Sequence, residues 1–183
     1  MRRAESAAVS YPNAVTLSSA SRSGVVSSRT VILKAFDDEQ LVFESESYSR
    51  KGIEIAENPH VALTIHWREV HRQICVTGIA APAAAAVSDE MWAARGRPNQ
   101  AASVVAREGA TVDSVAAELD LHSRADALTK SEAPISRPLT YQAYGLFPTT
   151  LEFWEGSADR LHRRVFYERE SPGGSWSWRR IQP

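Results

Sequence analysis

The sequence predicts a single-domain α+β protein in which an antiparallel β-barrel carries a few peripheral helices. Segments rich in Val, Ile, Thr and aromatic residues follow one another through short turns, which favours antiparallel strands. Helix-forming segments are inserted among these strands and do not alternate with them, as a doubly wound sheet would require. The chain has 183 residues, of which 43% are hydrophobic, and this is enough for one core but short for two.

The first part of the chain predicts a meander of three strands. Strands are expected at 14–18, 25–33 and 41–43, where β-branched and apolar residues cluster. Turns are expected at 21–24, which reads Ser-Arg-Ser-Gly, and at 36–40, which reads Phe-Asp-Asp-Glu-Gln. Because short turns join strands that are neighbours in space, these three strands should pair in sequence order.

One helix and two further strands are expected next. The helix should begin after Ser49, whose side chain can cap the first turn, and should end at Asn58-Pro59. The strands are expected at 60–67 and 73–81, with a polar turn at 68–72 between them.

The second half predicts two helices followed by a return to strands. The helices are expected at 83–95 and 111–128, separated by the sequence Gly-Arg-Pro-Asn-Gln at 96–100. Four short strands should complete the fold, at 143–147, 151–154, 163–169 and 175–181.

Composition excludes several classes of protein. The 21 Lys and Arg residues nearly balance the 22 Asp and Glu residues, so no global charge favours nucleic acid or an anionic membrane as partner. The single cysteine, Cys75, excludes an internal disulfide and fits the reducing cytoplasm. No signal-peptide core follows the basic N-terminus, and no apolar run approaches the length of a membrane span. We therefore expect a cytoplasmic protein with no membrane or nucleic-acid partner.

The usual loop and metal motifs are missing from the sequence. There is no G-x-G-x-x-G or G-x-x-x-x-G-K-[ST] loop for nucleotides and no G-x-S-x-G hydrolase elbow. His66, His71 and His122 have no partner at metal-ligand spacing, so no metal site is expected.

Residues 160–164 are unusually basic for a strand. If this segment is extended, Arg160, His162 and Arg164 share one face, and like charges on a face repel unless they are solvated or neutralised. A bound phosphate ester would neutralise them, and arginine suits bidentate contacts with phosphate. A solvated barrel edge explains the same pattern.

Two other groups of basic residues can also be explained either by a bound anion or by solvent exposure. Arg50 and Lys51 lie in the first turn of the expected helix, where the helix macrodipole favours anions and disfavours cations. A phosphate at that helix start would reverse the penalty, whereas two exposed cations at a tolerated cost are the alternative. Arg29 and Lys34 bracket an apolar strand on opposite faces, so one ligand reaches both only if the strand bends.

Together these residues resemble the ordered motif series of the pyridoxamine 5′-phosphate oxidase family. The resemblance runs from about residue 11 to Pro183, and although each motif is weak alone, the ordered set is specific. The motifs are Tyr11-Pro12-Asn13-Ala14-Val15-Thr16-Leu17, Ser27-Ser28-Arg29-Thr30-Val31-Ile32-Leu33-Lys34, Ser49-Arg50-Lys51-Gly52, Glu57-Asn58-Pro59, Arg72-Gln73, Leu151-Glu152-Phe153-Trp154-Glu155-Gly156 and Arg160-Leu161-His162-Arg163-Arg164.

The resemblance implies a Greek-key split barrel that binds FMN at the interface of a homodimer. It also implies a substrate stacked on the flavin, which takes up hydride and is then reoxidised by oxygen. The domain would cover 11–183, after a flexible N-terminal extension at 1–10.

The resemblance assigns cofactor contacts to positions spread over much of the chain. These positions are Arg29, Thr30, Val31, Ile32, Lys34, Ser45, Arg50, Lys51, Gln73, Trp154 and Arg164. Arg29, Arg50 and Lys51 match positions that contact the FMN phosphate, and the backbone near Val31 and Ile32 matches the part that contacts the ring.

The resemblance also assigns residues to the substrate. Lys34 and Arg95 match positions that hold its phosphate, with Asn99 at the position of a third contact. Arg160 and His162 match positions near the reacting end, so they are the expected catalytic residues.

Three departures from the family pattern bear on the substrate and the cofactor. Met91 stands where the family usually has a substrate-binding tyrosine, and Asn99 replaces a serine of the phosphate cradle. Glu108-Gly109 stands where a Gln-Ser pair usually reaches the FMN across the dimer, and a carboxylate there opposes a phosphate.

These departures keep most flavin contacts and erode contacts to a phosphate ester. We therefore expect an oxidase of the phenazine-biosynthesis type, which oxidises a reduced tricyclic ring. The first alternative is a true pyridoxamine or pyridoxine 5′-phosphate oxidase of vitamin B6 metabolism. The second is a flavin- or haem-binding carrier or sensor without turnover, and a deazaflavin-dependent reductase on the same fold is less favoured.

Overall fold

A computed structural model describes residues 9–36 and 39–183 of the chain. The expected extension at 1–10 and turn at 36–40 therefore lie partly outside the described residues. The strands of the described residues are β1 (Ala14–Ala20), β2 (Val26–Phe36), β3 (Leu41–Glu46), β4 (His60–Trp67), β5 (Arg72–Pro82), β6 (Tyr141–Glu155), β7 (Arg163–Glu168) and β8 (Ser177–Ile181). The α-helices are α1 (Arg50–Glu57), α2 (Ala85–Ala94), α3 (Arg97–Val105) and α4 (Val115–Lys130), and a 3-10 turn spans Arg68–Val70.

Six strands close into an antiparallel barrel, which confirms the predicted fold class. The strand order is β3-β2-β1-β4-β5-β6, and β3 also pairs with β6 to close the ring. Two meanders, β1–β3 and β4–β6, are thus joined along both of their outer strands in a Greek-key arrangement. β7 and β8 continue the sheet beyond β6, outside the barrel.

The strand β6 belongs to both the barrel and the extension. Its residues 141–146 pair with β3, whereas residues 150–155 pair on the same edge with β7. β5 pairs with the other edge from residue 144 to residue 155. The prediction of two separate strands, at 143–147 and 151–154, was wrong. Pro148 lies at a bulge where the register with β5 shifts, so the strand bends there and does not end.

The bulge depends on a glycine in the neighbouring strand. A Cβ on Gly78 would lie 2.2 Å from the carbonyl oxygen of Phe147 and 2.9 Å from its carbonyl carbon. Both are backbone atoms and cannot rotate away. β5 can therefore follow β6 around the bend only because residue 78 has no side chain.

The barrel interior is apolar, and buried side chains alternate with more exposed ones along strands such as β1 and β4. Val15 and Leu17 of β1 and Leu63 of β4 are among its most buried side chains. Phe43 stacks on Tyr144 with ring centroids 5.5 Å apart. α1 contributes Ile55 to the same core, so this helix is held against the barrel.

The helix boundaries follow local capping chemistry. α1 begins as predicted, because the Ser49 side chain accepts a hydrogen bond from the Gly52 N–H at 3.3 Å, and it ends at Asn58. The segment 96–100 was predicted to separate two helices, but it begins α3. Gly96 is the N-cap and Pro98 lies in the first turn, where proline is well tolerated. No helix within 9–36 and 39–183 is both long and apolar enough to cross a membrane.

We expect Gly78→Ala to lower the free energy of unfolding by about 2–4 kcal/mol, because the new methyl group overlaps backbone atoms and the bend must shift. Gly96→Ala is the matched control, since a Cβ there meets nothing within 4 Å, and its cost should stay below about 1 kcal/mol. Urea denaturation followed by circular dichroism measures both. Equal stability of the two variants would contradict the role assigned to Gly78.

Candidate active site

A cleft of about 1280 Å³ opens on the extended part of the sheet. Four of the residues that the sequence analysis assigned to the site line it: Gln73, Trp154, His162 and Arg164. Gln73 lies opposite Trp154, and Trp154 lies opposite Arg164, across β5, β6 and β7. Residues directly opposite each other share a face of the sheet, so these three side chains form one row.

His162 packs at the end of this row. Its ring centroid is 4.9 Å from that of Trp154, and its Nδ1 accepts a hydrogen bond from the Ser157 backbone N–H at 3.1 Å. A ring nitrogen that accepts a hydrogen bond carries no proton. In the neutral imidazole the proton is therefore on Nε2, which can donate to a ligand.

Arg160 does not share a strand face with His162 and Arg164, because the segment 160–164 is not extended over its whole length, whereas the strand predicted at 163–169 is present as β7. β7 begins only at Arg163, and Arg160 has a φ of 65° in the left-handed region. Asp159 holds this turn by accepting hydrogen bonds from the Ser157 hydroxyl and the Leu161 N–H, and these bonds lower the pKa of Asp159. Arg160 is thus exposed on a turn and is not among the residues that line the cleft.

Arg164 is held in place by the chain itself. Its Nε donates to Glu152 at 2.7 Å and its Nη1 to the Gln182 carbonyl at 3.0 Å. The hydrogen bond with Glu152 raises the pKa of Arg164, so the guanidinium is charged at every physiological pH. The row therefore presents an amide, an indole and a fixed cation to the cleft.

Two of the cations assigned to the FMN phosphate meet at one carboxylate. Arg29 from β2 and Arg50 from α1 contact the two oxygens of Glu54, with Nη2–Oε2 and Nε–Oε1 distances of 3.3 and 2.8 Å. The hydroxyls of Ser19 and Ser27 donate to the same carboxylate. Donors from β1, β2 and α1 thus converge on a single anionic position.

Glu54 stays ionised although it is buried. Desolvation raises the pKa of this carboxyl, but hydrogen bonds from Ser19, Ser27, Arg50 and Arg29 outweigh it and lower the pKa to about 2. At neutral pH the cluster of Arg29, Arg50 and Glu54 therefore keeps all three charges.

The third expected phosphate contact, Lys51, is also paired. It is buried, and its Nζ lies 2.5 Å from a carboxylate oxygen of Glu108. Ser45, also buried, lies with its hydroxyl 2.9 Å from that of Ser49, the residue that caps α1. Arg50 and Lys51 are the first residues of that helix, where backbone N–H groups have no partner within the helix.

The residues assigned to the substrate phosphate form a separate cluster. Lys34 and Arg95 both contact Oε1 of Glu44, with Lys34 Nζ at 3.3 Å, while the Tyr141 hydroxyl donates to Oε2. Arg29 and Lys34 therefore reach different anions, as expected for residues on opposite faces of β2. Asn99 is exposed in the first turn of α3 and takes no part in the Glu44 cluster.

The backbone at 30–32 has an edge that no described strand covers. β3 pairs with β2 only from Leu33 to Phe36, with a bulge between Leu33 and Ala35 inside this paired stretch. Val31 is buried in the core, whereas the side chains of Thr30 and Ile32 point outward. Backbone contacts from this edge to a ligand are sterically open.

The sequence analysis missed the carboxylates that organise the cations. Glu54 lies four residues after Arg50 on one helix, a spacing that favours an ion pair, and this signal was readable. Glu44 had no such signal, because Arg95 and Tyr141 lie 51 and 97 residues away in the chain.

Two family models match the chain. The model described as pyridoxamine 5′-phosphate oxidase matches residues 1–122, and the model described as the pyridoxine 5′-phosphate oxidase C-terminal dimerisation region matches residues 141–183. The second range contains β6, β7 and β8, which carry Trp154, His162 and Arg164. The match to a dimerisation region supports a homodimer.

Individual relatives agree with the family models. The chain is 36% identical to a pyridoxine/pyridoxamine 5′-phosphate oxidase of Salinibacter ruber, over 98% of this chain and 84% of the relative. It is 34% identical to a dihydrophenazinedicarboxylate synthase of Burkholderia lata, over 98% and 82%. A crystal structure of PhzG from Burkholderia lata, in complex with tetrahydrophenazine-1-carboxylic acid, superposes with a TM-score of 0.93 at 33% identity, covering 100% of this chain and 88% of that one.

The lowered pKa of Glu54 predicts that its contribution to the stability of the fold depends on pH. Because the folded-state pKa of about 2 lies below the ordinary value of 4.5, the ionised carboxylate stabilises the fold above pH 4.5 and loses this effect as the pH falls toward 2. We expect Glu54→Gln to lower the free energy of unfolding by about 1–3 kcal/mol at pH 6 and by clearly less at pH 3.5. Urea denaturation at the two pH values measures the difference.

Glu90→Gln serves as the control, because Glu90 is an exposed carboxylate on α2. It should change stability little at either pH. A cost of Glu54→Gln that is the same at pH 6 and pH 3.5 would contradict the role of the ionised carboxylate.

Proposed function

The chain belongs to the pyridoxamine 5′-phosphate oxidase family, and from this premise we propose that it is an FMN-dependent oxidase of a reduced, phenazine-type ring compound, with oxygen as electron acceptor. The observation that carries the proposal is the row of Gln73, Trp154 and Arg164 beside His162, on a cleft large enough for a flat ring system. The dihydrophenazinedicarboxylate synthase of Burkholderia lata, similar over nearly the whole chain, supports the ring class.

The residues around Glu54 fit the phosphate of FMN. Arg29, Arg50 and Lys51 carry three positive charges against the two carboxylates of Glu54 and Glu108, which leaves one net positive charge for an anion. The open N–H groups at the start of α1 add donors of the kind that bind phosphate. Glu108, which was expected to oppose the phosphate, is held by Lys51, so its charge is compensated within the chain.

The homodimer would bring the two halves of the site together. Within one chain the cleft is lined mainly by residues of β5 to β8, together with Phe36 of β2 and Trp67 of β4. Neither Arg29 and Arg50 nor Lys34 and Arg95 lie among its lining residues. A flavin that touches both sets is accommodated most simply between two chains, with the phosphate on one and the ring against the other.

The chain's own residues would bind the flavin and orient the substrate. FMN, when bound, supplies the redox chemistry, accepting hydride from the substrate and returning electrons to oxygen. Trp154 would flank a planar ring, and Arg164, fixed by Glu152, would hold an anionic or carbonyl group of a ligand. His162 would donate a hydrogen bond from Nε2, so in this arrangement it positions the substrate and does not remove a proton at that atom.

A pyridoxamine or pyridoxine 5′-phosphate oxidase is the second candidate. The observation that favours it is the convergence of Lys34 and Arg95 on one anionic position, as a phosphate ester requires. The Salinibacter ruber relative carries that name.

We expect Arg50→Ala and Arg164→Ala each to weaken FMN binding by about 1.5–3 kcal/mol, as the loss of a charged hydrogen bond does. Arg124→Ala is the matched control: like Arg50, Arg124 forms an i,i+4 ion pair on a helix, but with Asp120 on α4. Quenching of FMN fluorescence on titration of the flavin-free protein measures the affinity. Unchanged affinity in the first two variants would remove these residues from the site.

Anaerobic mixing separates the two candidate functions. A dihydrophenazine carboxylate should bleach the yellow colour of the FMN-loaded protein, and air should restore it, because the flavin is reduced by substrate and reoxidised by oxygen. Bleaching by pyridoxamine 5′-phosphate in its place would establish the second candidate. A bound flavin that neither compound bleaches would contradict both and leave a carrier or sensor.

A further inference from the structure

The carboxylate of Glu44 occupies the position between Lys34 and Arg95 at which a substrate anion would bind. We propose that Glu44 is a specificity-determining residue: it fills this position with an internal anion, removes the advantage that a phosphate ester would gain from the two cations, and leaves the site to substrates anchored by a singly charged carboxylate. The inference rests on the proposed function in one respect, the assignment of Lys34 and Arg95 to the substrate.

Glu44 is held from three sides. Oε1 accepts from Arg95 and lies 3.3 Å from Lys34 Nζ, and Oε2 accepts from the Tyr141 hydroxyl. Its side chain is only 14% exposed. A ligand anion that competed for these donors would have to displace a partly buried carboxylate that three donors hold in place, which is costly.

The partners of Glu44 are themselves fixed. Arg95 also donates to the Ser103 hydroxyl at 3.3 Å, and its guanidinium carbon lies 5.4 Å from the centre of the Tyr141 ring. The hydrogen bond from Tyr141 to Glu44 ties β6 to β3 at the end of the barrel where these strands pair. Arg95 and Tyr141 are therefore held around the internal carboxylate before a ligand arrives, although the buried Nε of Arg95 has no hydrogen-bond partner among the described residues.

The charge count distinguishes two classes of ligand. Lys34 and Arg95 contribute two positive charges and Glu44 one negative charge, so the cluster has a net charge of +1. A phosphate monoester carries about −1.5 to −2 at neutral pH, whereas a carboxylate carries −1. Glu44 opposes the more highly charged phosphate more strongly than a carboxylate, and because it already engages both cations it leaves few free donors for the three terminal oxygens of a phosphate.

One donor of the cluster remains open to a ligand. The Lys34 side chain is 38% exposed, and an ammonium group has three N–H donors, of which Glu44 takes one. A substrate carboxylate could therefore bind Lys34 from the solvent side without displacing Glu44.

The test compares a phosphate ester with its phosphate-free counterpart. Isothermal titration of the FMN-loaded protein with 4-deoxypyridoxine 5′-phosphate and with 4-deoxypyridoxine measures binding without oxidation, because neither compound has the oxidisable substituent. The variants are Glu44→Gln and, as control, Asp89→Asn. Asp89 is an exposed partner of Arg137, so each variant removes one negative charge from the chain.

In the unaltered protein the two compounds should bind within about threefold of each other, because Glu44 already engages the donors that a phosphate would need. In Glu44→Gln the phosphate ester should bind at least about tenfold more tightly, since two cations are released to it, and the phosphate-free compound should change little. Asp89→Asn should behave as the unaltered protein.

Two results would overturn the proposal. One is a phosphate ester that the unaltered protein already prefers by tenfold or more, and this measurement needs no variant to fold. The other is a Glu44→Gln protein that retains its FMN and its melting temperature yet gains no affinity for the phosphate ester.

The carboxylate half of the proposal has its own probe. Phenazine-1-carboxylate should bind more tightly than phenazine. Lys34→Gln should lower the ratio of the two affinities by at least about tenfold. A difference that Lys34→Gln leaves intact would overturn the carboxylate assignment. Failure of a dihydrophenazine carboxylate to bleach the flavin would count against the proposed function alone, because the titrations with the phosphate ester do not depend on turnover.

Discussion

The candidate site depends on how β6 divides one of its edges between two partners. Up to Leu146 this edge closes the barrel against β3, and from Thr150 it pairs with β7. The bend between the two parts is possible because the backbones of Gly78 and Phe147 approach more closely than a side chain would allow. Without the change of partner there would be no surface outside the barrel on which Gln73, Trp154 and Arg164 form a row.

The candidate site also depends on ion pairs within the chain. Each cation expected to meet a phosphate already contacts a carboxylate, Glu54, Glu108 or Glu44. Such pairs keep long side chains in one geometry before any ligand arrives, which lowers the entropic cost of binding. They also limit the charge that a ligand can bring, so the carboxylates contribute to selectivity as well as to order.

Local features of this chain were predictable and non-local ones were not. The cap at Ser49 and the end of α1 at Asn58 follow from neighbouring residues, and the sequence analysis placed both correctly. The first turn of α3 was misread because Gly96 and Pro98 suit a turn and a helix start equally. Pairings such as Gln73 with Trp154 depend on strand register, and the partners of Glu44 depend on the closed barrel, so residue types alone could not supply them. The position of Arg160 could not be predicted either, because the residue types at 160–164 do not reveal the left-handed backbone conformation of Arg160.

The strand β8 has a consequence for how copies of the protein meet. Barrel closure removes free strand edges, but the extension that forms the cleft creates a new one at β8, which among the described strands pairs only with β7. Its middle residues are the consecutive arginines Arg179 and Arg180. Arg179 is paired with Glu168 of β7, so two copies that approached edge to edge would bring together mainly the charge of Arg180. This repulsion opposes the growth of a continuous sheet from chain to chain into insoluble fibres.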